Sequence, residues 1–185
     1  MDDIVKAALK KWPNVPDCYG WLALDARGDW YMRDDRIQAA GPFPQIKGSR
    51  IEHEKLREFI ERNYLCDARG QWFFQNGPQR VYVELEAAPW VWRLTPHPGS
   101  APRVVSHTGL PAQMKSAWLD ESGRLFLDTD LGLGLVHTLD MGWAADAVDA
   151  SWWLPQEVAF DSLAAQFKHR LKPAAGTTSS PPHIP

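Results

Sequence analysis

The chain has 185 residues, of which 20 are Lys or Arg, 23 are Asp or Glu and ten are Trp. The resulting net charge of −3 disfavours a nucleic-acid-binding protein, because such proteins usually carry a basic surplus. The two cysteines, Cys18 and Cys66, are too few for a disulfide framework. The sequence shows neither a signal peptide nor an apolar run of the ~20 residues that cross a membrane. We therefore expect a cytoplasmic protein without membrane contact.

Three helices are predicted. The first covers residues 3–12, where the apolar side chains share one face. The second is expected to begin at Ser49, which forms a capping box with Glu52. The last is expected to begin at a cap supplied by Asp161 or Ser162.

Three segments share one turn pattern, in which Asp is followed three residues later by Gly and then by large apolar residues. They are residues 24–31 (LDARGDWY), 66–73 (CDARGQWF) and, more weakly, 119–126 (LDESGRLF). The Asp side chain can accept bonds from the turn amides, and Gly tolerates the left-handed conformation that closes the turn. The pattern predicts three β-hairpins. Arg27 and Arg69 occupy the same turn position, so they are candidate contacts for a ligand or phosphate, or else solvated turn residues.

Residues 80–86 alternate apolar and polar side chains, which predicts a half-buried strand. Glu84 and Glu86 share its polar face, as paired carboxylates do in some glycoside hydrolases. They are candidate binding residues. The alternative is that they are surface acids neutralised across a hairpin by Arg80 and Arg93.

Asp128, Asp130 and His137 are the candidate catalytic residues. The two carboxylates are separated by one residue, as in some metal-dependent sugar transferases, and His137 could exchange protons with either. The alternatives are solvated turn acids and a buried structural histidine. His107, between Ser and Thr-Gly, is expected in a loop.

No cofactor or metal motif is complete. His53 and Glu54 begin a zinc-protease helix pattern, but Arg57 stands where the second His is needed. A phosphate-binding loop and a dinucleotide fingerprint are also missing. We expect neither a cofactor nor a metal.

The tryptophans are the most unusual feature of the composition. Trp90 and Trp92 should share one face of a strand, where indoles can serve as bulky core. Trp152 and Trp153 cannot both point inward from a strand. They are the best candidates for an exposed aromatic binding surface.

Four stretches carry a resemblance to an uncharacterised bacterial family of small Trp-rich proteins: LDARGDWYMRD (24–34), HEKL (53–56), WFFQNGPQRVYVELEAAPWVW (72–92) and LDTDLGLGLVHT (127–138). The order of elements more distantly resembles a second uncharacterised bacterial family. The resemblance implies a bacterial, soluble protein with a regulatory or housekeeping role, and it assigns no catalytic residue.

The pattern of elements predicts an α+β fold, with a twisted antiparallel sheet or partial barrel of repeated hairpins and helices on one side. We expect one domain over residues 1–172, or two small halves over about 14–78 and 79–172, and a flexible tail over 173–185.

For function, we expect a non-enzymatic binding or regulatory protein that recognises a protein partner or small ligand through an aromatic-rich face. The alternatives are a hydrolase or transferase that uses the carboxylate and histidine candidates, and a subunit or oligomerisation module that forms a homo-oligomer.

Overall fold

Residues 1–175 are described by the computed structural model; the end of the predicted tail lies outside the described residues. The described part contains five α-helices: α1 (Asp3–Lys11), α2 (Asp35–Ala40), α3 (Glu54–Arg62), α4 (Met141–Asp149) and α5 (Phe160–Gln166). A short 3-10 turn, Thr138–Asp140, precedes α4. The helix predicted over residues 3–12 is confirmed as α1.

Two sheets form the centre of the fold. The first contains β1 (Cys18–Leu24), β2 (Trp30–Met32), β3 (Ser49–Arg50), β4 (Tyr64–Cys66), β5 (Trp72–Asn76) and β6 (Gln79–Leu85), in the order β3-β2-β1-β6-β5-β4. The second contains β7 (Trp90–His97), β8 (Ser100–Ser106), β9 (Pro111–Ala112), β10 (Met114–Asp120), β11 (Leu125–Thr129), β12 (Gly132–Val136) and β13 (Gln156–Val158), in the order β13-β10-β11-β12-β7-β8-β9.

The α+β class is confirmed, and most neighbouring strands are antiparallel. Three pairs are parallel instead: β1 with β6, β7 with β12, and β10 with β13. Parallel strands need a long connection between them, so these pairs join segments that are far apart in the sequence. They assemble the local hairpins into two mixed sheets.

The three Asp turns have the same hydrogen bonds. In each, one carboxylate oxygen of Asp25, Asp67 or Asp120 accepts from the amides two and four residues later, at 2.8–3.0 Å. The glycine of each turn has a φ of 82°, 76° or 74°, which a residue with a side chain rarely adopts. The first two turns lie in the first sheet, and the third joins β10 to β11 in the second.

The predicted start of the second helix is wrong. Ser49 lies in β3 and pairs with Met32 of β2, so its backbone bonds to a strand. Helix α3 begins five residues later, where Nδ1 of His53 accepts from the amide of Leu56 at 3.3 Å. Pairing with a distant strand has overridden the local capping signal.

The predicted cap of the last helix is also wrong. Helix α5 begins at Phe160, one or two residues before Asp161 and Ser162. The amide of Phe160 donates to the carboxylate of Glu121 at 2.9 Å. Glu121, a residue of the third Asp turn, therefore accepts from the first amide of the helix, in place of the predicted cap at Asp161 or Ser162.

Aromatic side chains from both sheets share one core. Trp30 and Tyr64 come from the first sheet, and Trp90 and Trp92 come from the second. The last two indoles stack with centroids 6.1 Å apart, as expected for one strand face. Their Nε1 atoms donate to backbone carbonyls at 2.8 and 3.0 Å, so these buried donors are satisfied.

A domain boundary between residues 78 and 79, as in the alternative of two small halves, would separate β5 from β6, which pair with each other in the first sheet. Helix α5 packs through Leu163 against Phe126 and Leu135 of the second sheet.

Within residues 1–175, no helix has the length and hydrophobicity needed to cross a bilayer.

Candidate functional site

The turn at the end of helix α4 leaves Trp152 exposed and directs the next residue, Trp153, inward. Ser151 has a φ of 58°, and its amide donates to the carbonyl of Val148 at 2.9 Å. The amide of Trp152 donates to the carbonyl of Ala147 at 2.9 Å, which completes a Schellman motif. Trp153 is buried at 3% exposure, whereas Trp152 remains 44% exposed.

Trp152 and Trp153 line a cleft of about 700 Å³, which we call the tryptophan cleft. Its other walls are strand β8 and the segment 111–114. Polar side chains at the cleft include His97 and Arg103. A mixed aromatic and polar cleft of this size is typical of small-ligand sites.

Asp130 holds one wall of the tryptophan cleft. Its carboxylate accepts from the amide of Gln113 at 2.7 Å, and its own amide donates to the carbonyl of Gln113 at 3.1 Å. Gln113 lines the cleft. This candidate catalytic residue therefore positions a backbone segment of the cleft.

His137 lies in a different charged cluster. Asp140 is buried and binds the guanidinium of Arg93 through both carboxylate oxygens, at 2.6 and 3.2 Å. Burial would raise the pKa of Asp140, but Arg93 and the amide of Leu94 lower it overall. Burial, followed by the charge of Arg93, lowers the pKa of His137.

Among residues 1–175, the structure shows no hydrogen bond between His137 and either Asp128 or Asp130, which an acid–base pair would need. Nδ1 of His137 accepts from the amide of Leu139 at 3.1 Å and so caps the 3-10 turn. The part of the chain that is described also contains no cluster of three His, Cys, Asp or Glu side chains arranged to hold a metal. The catalytic assignment of the three residues stays a prediction.

Glu84 and Glu86 each hold a cation from the segment 33–47. The carboxylate of Glu84 lies 3.4 Å from Nε of Arg33, which is buried. Lys47 bridges Glu86 at 3.0 Å and Asp25 at 2.9 Å. The two glutamates thus fix the segment between β2 and β3, which contains α2, against the end of β6.

The predicted partners of the two glutamates are therefore wrong. Arg80 lies over the ring of Phe73, 4.8 Å from its centroid, and Arg93 binds Asp140. Arg80 and Glu84 lie on β6 and Glu86 directly follows it, but the cations that reach the two glutamates come from segments far away in the sequence.

The two turn arginines have different surroundings. Both side chains are exposed. Arg27 lies near enough to His137 for its charge to lower the pKa of that histidine. Arg69 lines a separate cavity beside the end of helix α5. The sequence repeats the arginine, but the fold gives the two copies unrelated neighbours.

His107 lies in the turn after β8, as expected, but the burial of its ring was not foreseen. Its ring lies within 5.7–6.2 Å of the rings of Trp30, Tyr64 and Trp90, measured between centroids. Its Nδ1 accepts from the amide of Val91 at 3.2 Å, and its buried Nε2 has no partner among residues 1–175. Burial lowers the pKa of His107 to about 3, so the ring is neutral. The local sequence Ser-His-Thr-Gly carries no signal for this packing.

Comparison with known proteins finds families without an assigned function. Residues 1–179 match the model of a family described as "Protein of unknown function (DUF2946)". No curated protein matches the chain. Two solved structures are similar to it, both of DUF1285 family proteins. The protein from Shewanella baltica OS155 is 17% identical, with 68% of this chain and 91% of that one covered and a TM-score of 0.46. The protein from Silicibacter pomeroyi DSS-3 is 12% identical, with 79% and 84% covered and a TM-score of 0.46.

Proposed function

The chain belongs to this family of proteins of unknown function, DUF2946, and we propose that it is a binding protein that takes up a small ring-containing ligand in the tryptophan cleft. The observation that carries the proposal is the half-exposed indole of Trp152 on the wall of a cleft of about 700 Å³. An exposed indole face binds flat rings and sugar faces through stacking and apolar contact.

The geometry of the cleft favours a small ligand over an added peptide strand. Strand β9 covers only Val104 and Val105 of β8, so the earlier part of β8 is a free edge. Pro102 lies in that part of the strand and has no amide to donate. A peptide strand would find a broken row of donors there, whereas a compact ring needs only the indole and a few polar contacts.

Polar groups at the cleft can orient such a ring. Nδ1 of His97 lies 2.5 Å from the hydroxyl of Ser100, which fixes the imidazole at the cleft. Arg103 forms no ion pair with any carboxylate of the described residues, so its guanidinium is available to an acceptor on the ligand. We place this function in the cytoplasm, because Cys18 and Cys66 are both free thiols.

A thermal-shift screen with adenosine, L-tryptophan and cellobiose tests the proposal. A ligand at 100 times its dissociation constant stabilises the folded state by about 2.7 kcal/mol. We expect at least one of these ring compounds to raise the melting temperature of the wild-type protein, and Trp152→Ala to abolish that rise.

Trp143→Ala is the matched control. Trp143 is also 44% exposed, but it lies on helix α4 outside the cleft lining. We expect this variant to keep the full shift. Equal loss in both variants would mean that the ligand does not bind in the cleft, and the absence of any shift in the wild type would contradict the proposal.

A further inference from the structure

A second cavity lies where the β4–β5 turn meets the end of helix α5. It has a volume of about 600 Å³, and we call it the basic cavity. The backbone of the two walls is in direct contact: the amide of Arg170 donates to the carbonyl of Gly70 at 3.0 Å. A Cβ on Gly70 would lie 2.0 Å from the carbonyl oxygen of Lys168, so only glycine allows this approach. The cavity therefore has fixed walls.

Four cations line the basic cavity: Arg69, Lys168, Arg170 and Lys172. Its lining contains no Asp or Glu. Among residues 1–175, the one carboxylate that pairs with any of the four is Asp67, 3.5 Å from Nε of Arg69. Four positive side chains around one cavity repel each other unless an anion joins them.

His169 also lines the basic cavity, and both nitrogens of its ring are buried beside it. The residue is 6% exposed, and neither ring nitrogen has a hydrogen-bond partner among residues 1–175. Leaving a buried polar group unpaired costs about 1–3 kcal/mol, so such a group calls for an explanation. Burial lowers the pKa of His169 to about 4, and a neutral imidazole can donate one hydrogen bond to a ligand oxygen.

Helix capping accounts for the backbone here but not for all the side chains, of which Arg170 donates through Nε to the carbonyl of Arg69 at 3.4 Å. The amides of Lys168 and His169 donate to the carbonyls of Ala165 and Ala164, at 3.3 and 3.0 Å, in a second Schellman motif. A cation near a helix C-terminus, such as Lys168, interacts favourably with the helix dipole. However, Arg69 comes from a different element, and Arg170 and Lys172 follow the capping turn.

Turn chemistry does not account for Arg69 either. The third Asp turn has Ser122 at the equivalent position and makes the same two carboxylate–amide bonds. The turn therefore forms without arginine. The guanidinium of Arg69 contacts Asp67, Tyr19 and Tyr82, and the residue lines the cavity.

We propose that the basic cavity binds the phosphate group of a small phosphorylated molecule. A phosphate supplies up to two negative charges and three strong acceptor oxygens. Lys and Arg side chains bind it with charge-assisted hydrogen bonds, and the N–H of His169 donates to one further oxygen. This site is separate from the tryptophan cleft and does not depend on the function proposed for that cleft.

Isothermal titration calorimetry with inorganic pyrophosphate and with ADP tests the proposal. We expect both to bind the wild-type protein below 1 mM. Equal affinities identify the phosphates as the bound group, and tighter binding of ADP shows that a nucleoside adds contacts to the same site. Adenosine serves as the phosphate-free comparison and should not compete with pyrophosphate.

The double variant Arg69→Gln/Arg170→Gln should weaken pyrophosphate binding at least tenfold. Arg27→Gln/Arg36→Gln is the matched control, because it removes the same charge from two exposed arginines outside the cavity. The control should change the affinity less than twofold. Equal weakening in both double variants, or no binding by the wild type at 1 mM, would overturn the proposal.

His169→Phe separates a binding role from a structural one. The substitution keeps a ring and removes two unpaired buried nitrogens, so we expect a higher melting temperature. If the imidazole donates to the phosphate, the same variant should bind pyrophosphate at least threefold more weakly. A higher melting temperature with unchanged affinity would contradict the role of His169 at this site.

Discussion

Replacing His107 by asparagine should remove part of the acid sensitivity of the fold. The ring lies among Trp30, Tyr64 and Trp90, and burial lowers its pKa to about 3, against 6.5 in an unfolded chain. Between these two values the unfolded chain binds a proton and the folded protein does not. The contribution of the neutral His107 ring to stability is therefore fully present above pH 6.5 and is lost as the pH falls below that value.

The magnitude follows from the difference between the two pKa values. Each pH unit below the unfolded value of about 6.5 costs about 1.4 kcal/mol, which gives about 2 kcal/mol at pH 5. Burial also lowers the pKa of His169, to about 4, so that residue contributes a similar loss. Carboxylates contribute little at pH 5, because their ordinary pKa values are near 4.

Urea denaturation at pH 7.5 and pH 5.0 measures this loss. The oxygen of asparagine can replace Nδ1 of His107 as the acceptor for the amide of Val91, but it does not titrate. The variant should be less stable at pH 7.5, because ring contacts are lost. Its further loss on going to pH 5.0 should be about 2 kcal/mol smaller than that of the wild type.

The control is His53→Asn, which changes an exposed histidine that also accepts from an amide. It should leave the pH dependence unchanged. If His107→Asn shows the same loss between the two pH values as the wild type, the ring is protonated in the folded protein and the reasoning is refuted.

Two further predictions concern stability, both measured by urea denaturation. Gly70→Ala should destabilise the fold by about 3 kcal/mol or more, because its Cβ would meet a backbone carbonyl oxygen at 2.0 Å. The control Gly123→Ala places its Cβ in open space and should cost only about 1 kcal/mol, from the strain of the left-handed backbone. Equal losses of stability in the two variants would contradict the close approach at Gly70. Asp140→Asn should cost about 2 kcal/mol at pH 7, since it leaves the guanidinium of Arg93 without its charged partner, and a variant as stable as the wild type would show that the pair contributes nothing.

Local patterns in the sequence predict local structure well. The Asp turns form as expected because each needs only its own carboxylate, its own amides and a glycine. The strand with Trp90 and Trp92 on one face follows from simple alternation. At Trp152 and Trp153, the expectation that one indole is exposed holds, and Ser151 decides which one.

Interactions between distant segments could not be predicted from these patterns. Ser49 has a good capping sequence, but β2 offers its backbone a strand partner. Glu84 and Glu86 could be recognised as ion-paired acids, yet their partners Arg33 and Lys47 lie about 40–50 residues away. The basic cavity has the same origin, since its cations come from a turn and from the segment after helix α5, roughly 100 residues later.

The parallel pairing of β1 with β6 has a consequence for the nascent chain. Leu22 lies beside Val83, 61 residues later (83 − 22), and the rest of the first sheet is built on this pair. At about 5–20 residues per second, the ribosome needs several seconds to supply the second strand. During that interval the backbone edge of β1 that pairs with β6 has no neighbour, so the newly made N-terminal hairpin has an open strand edge at which aggregation can begin.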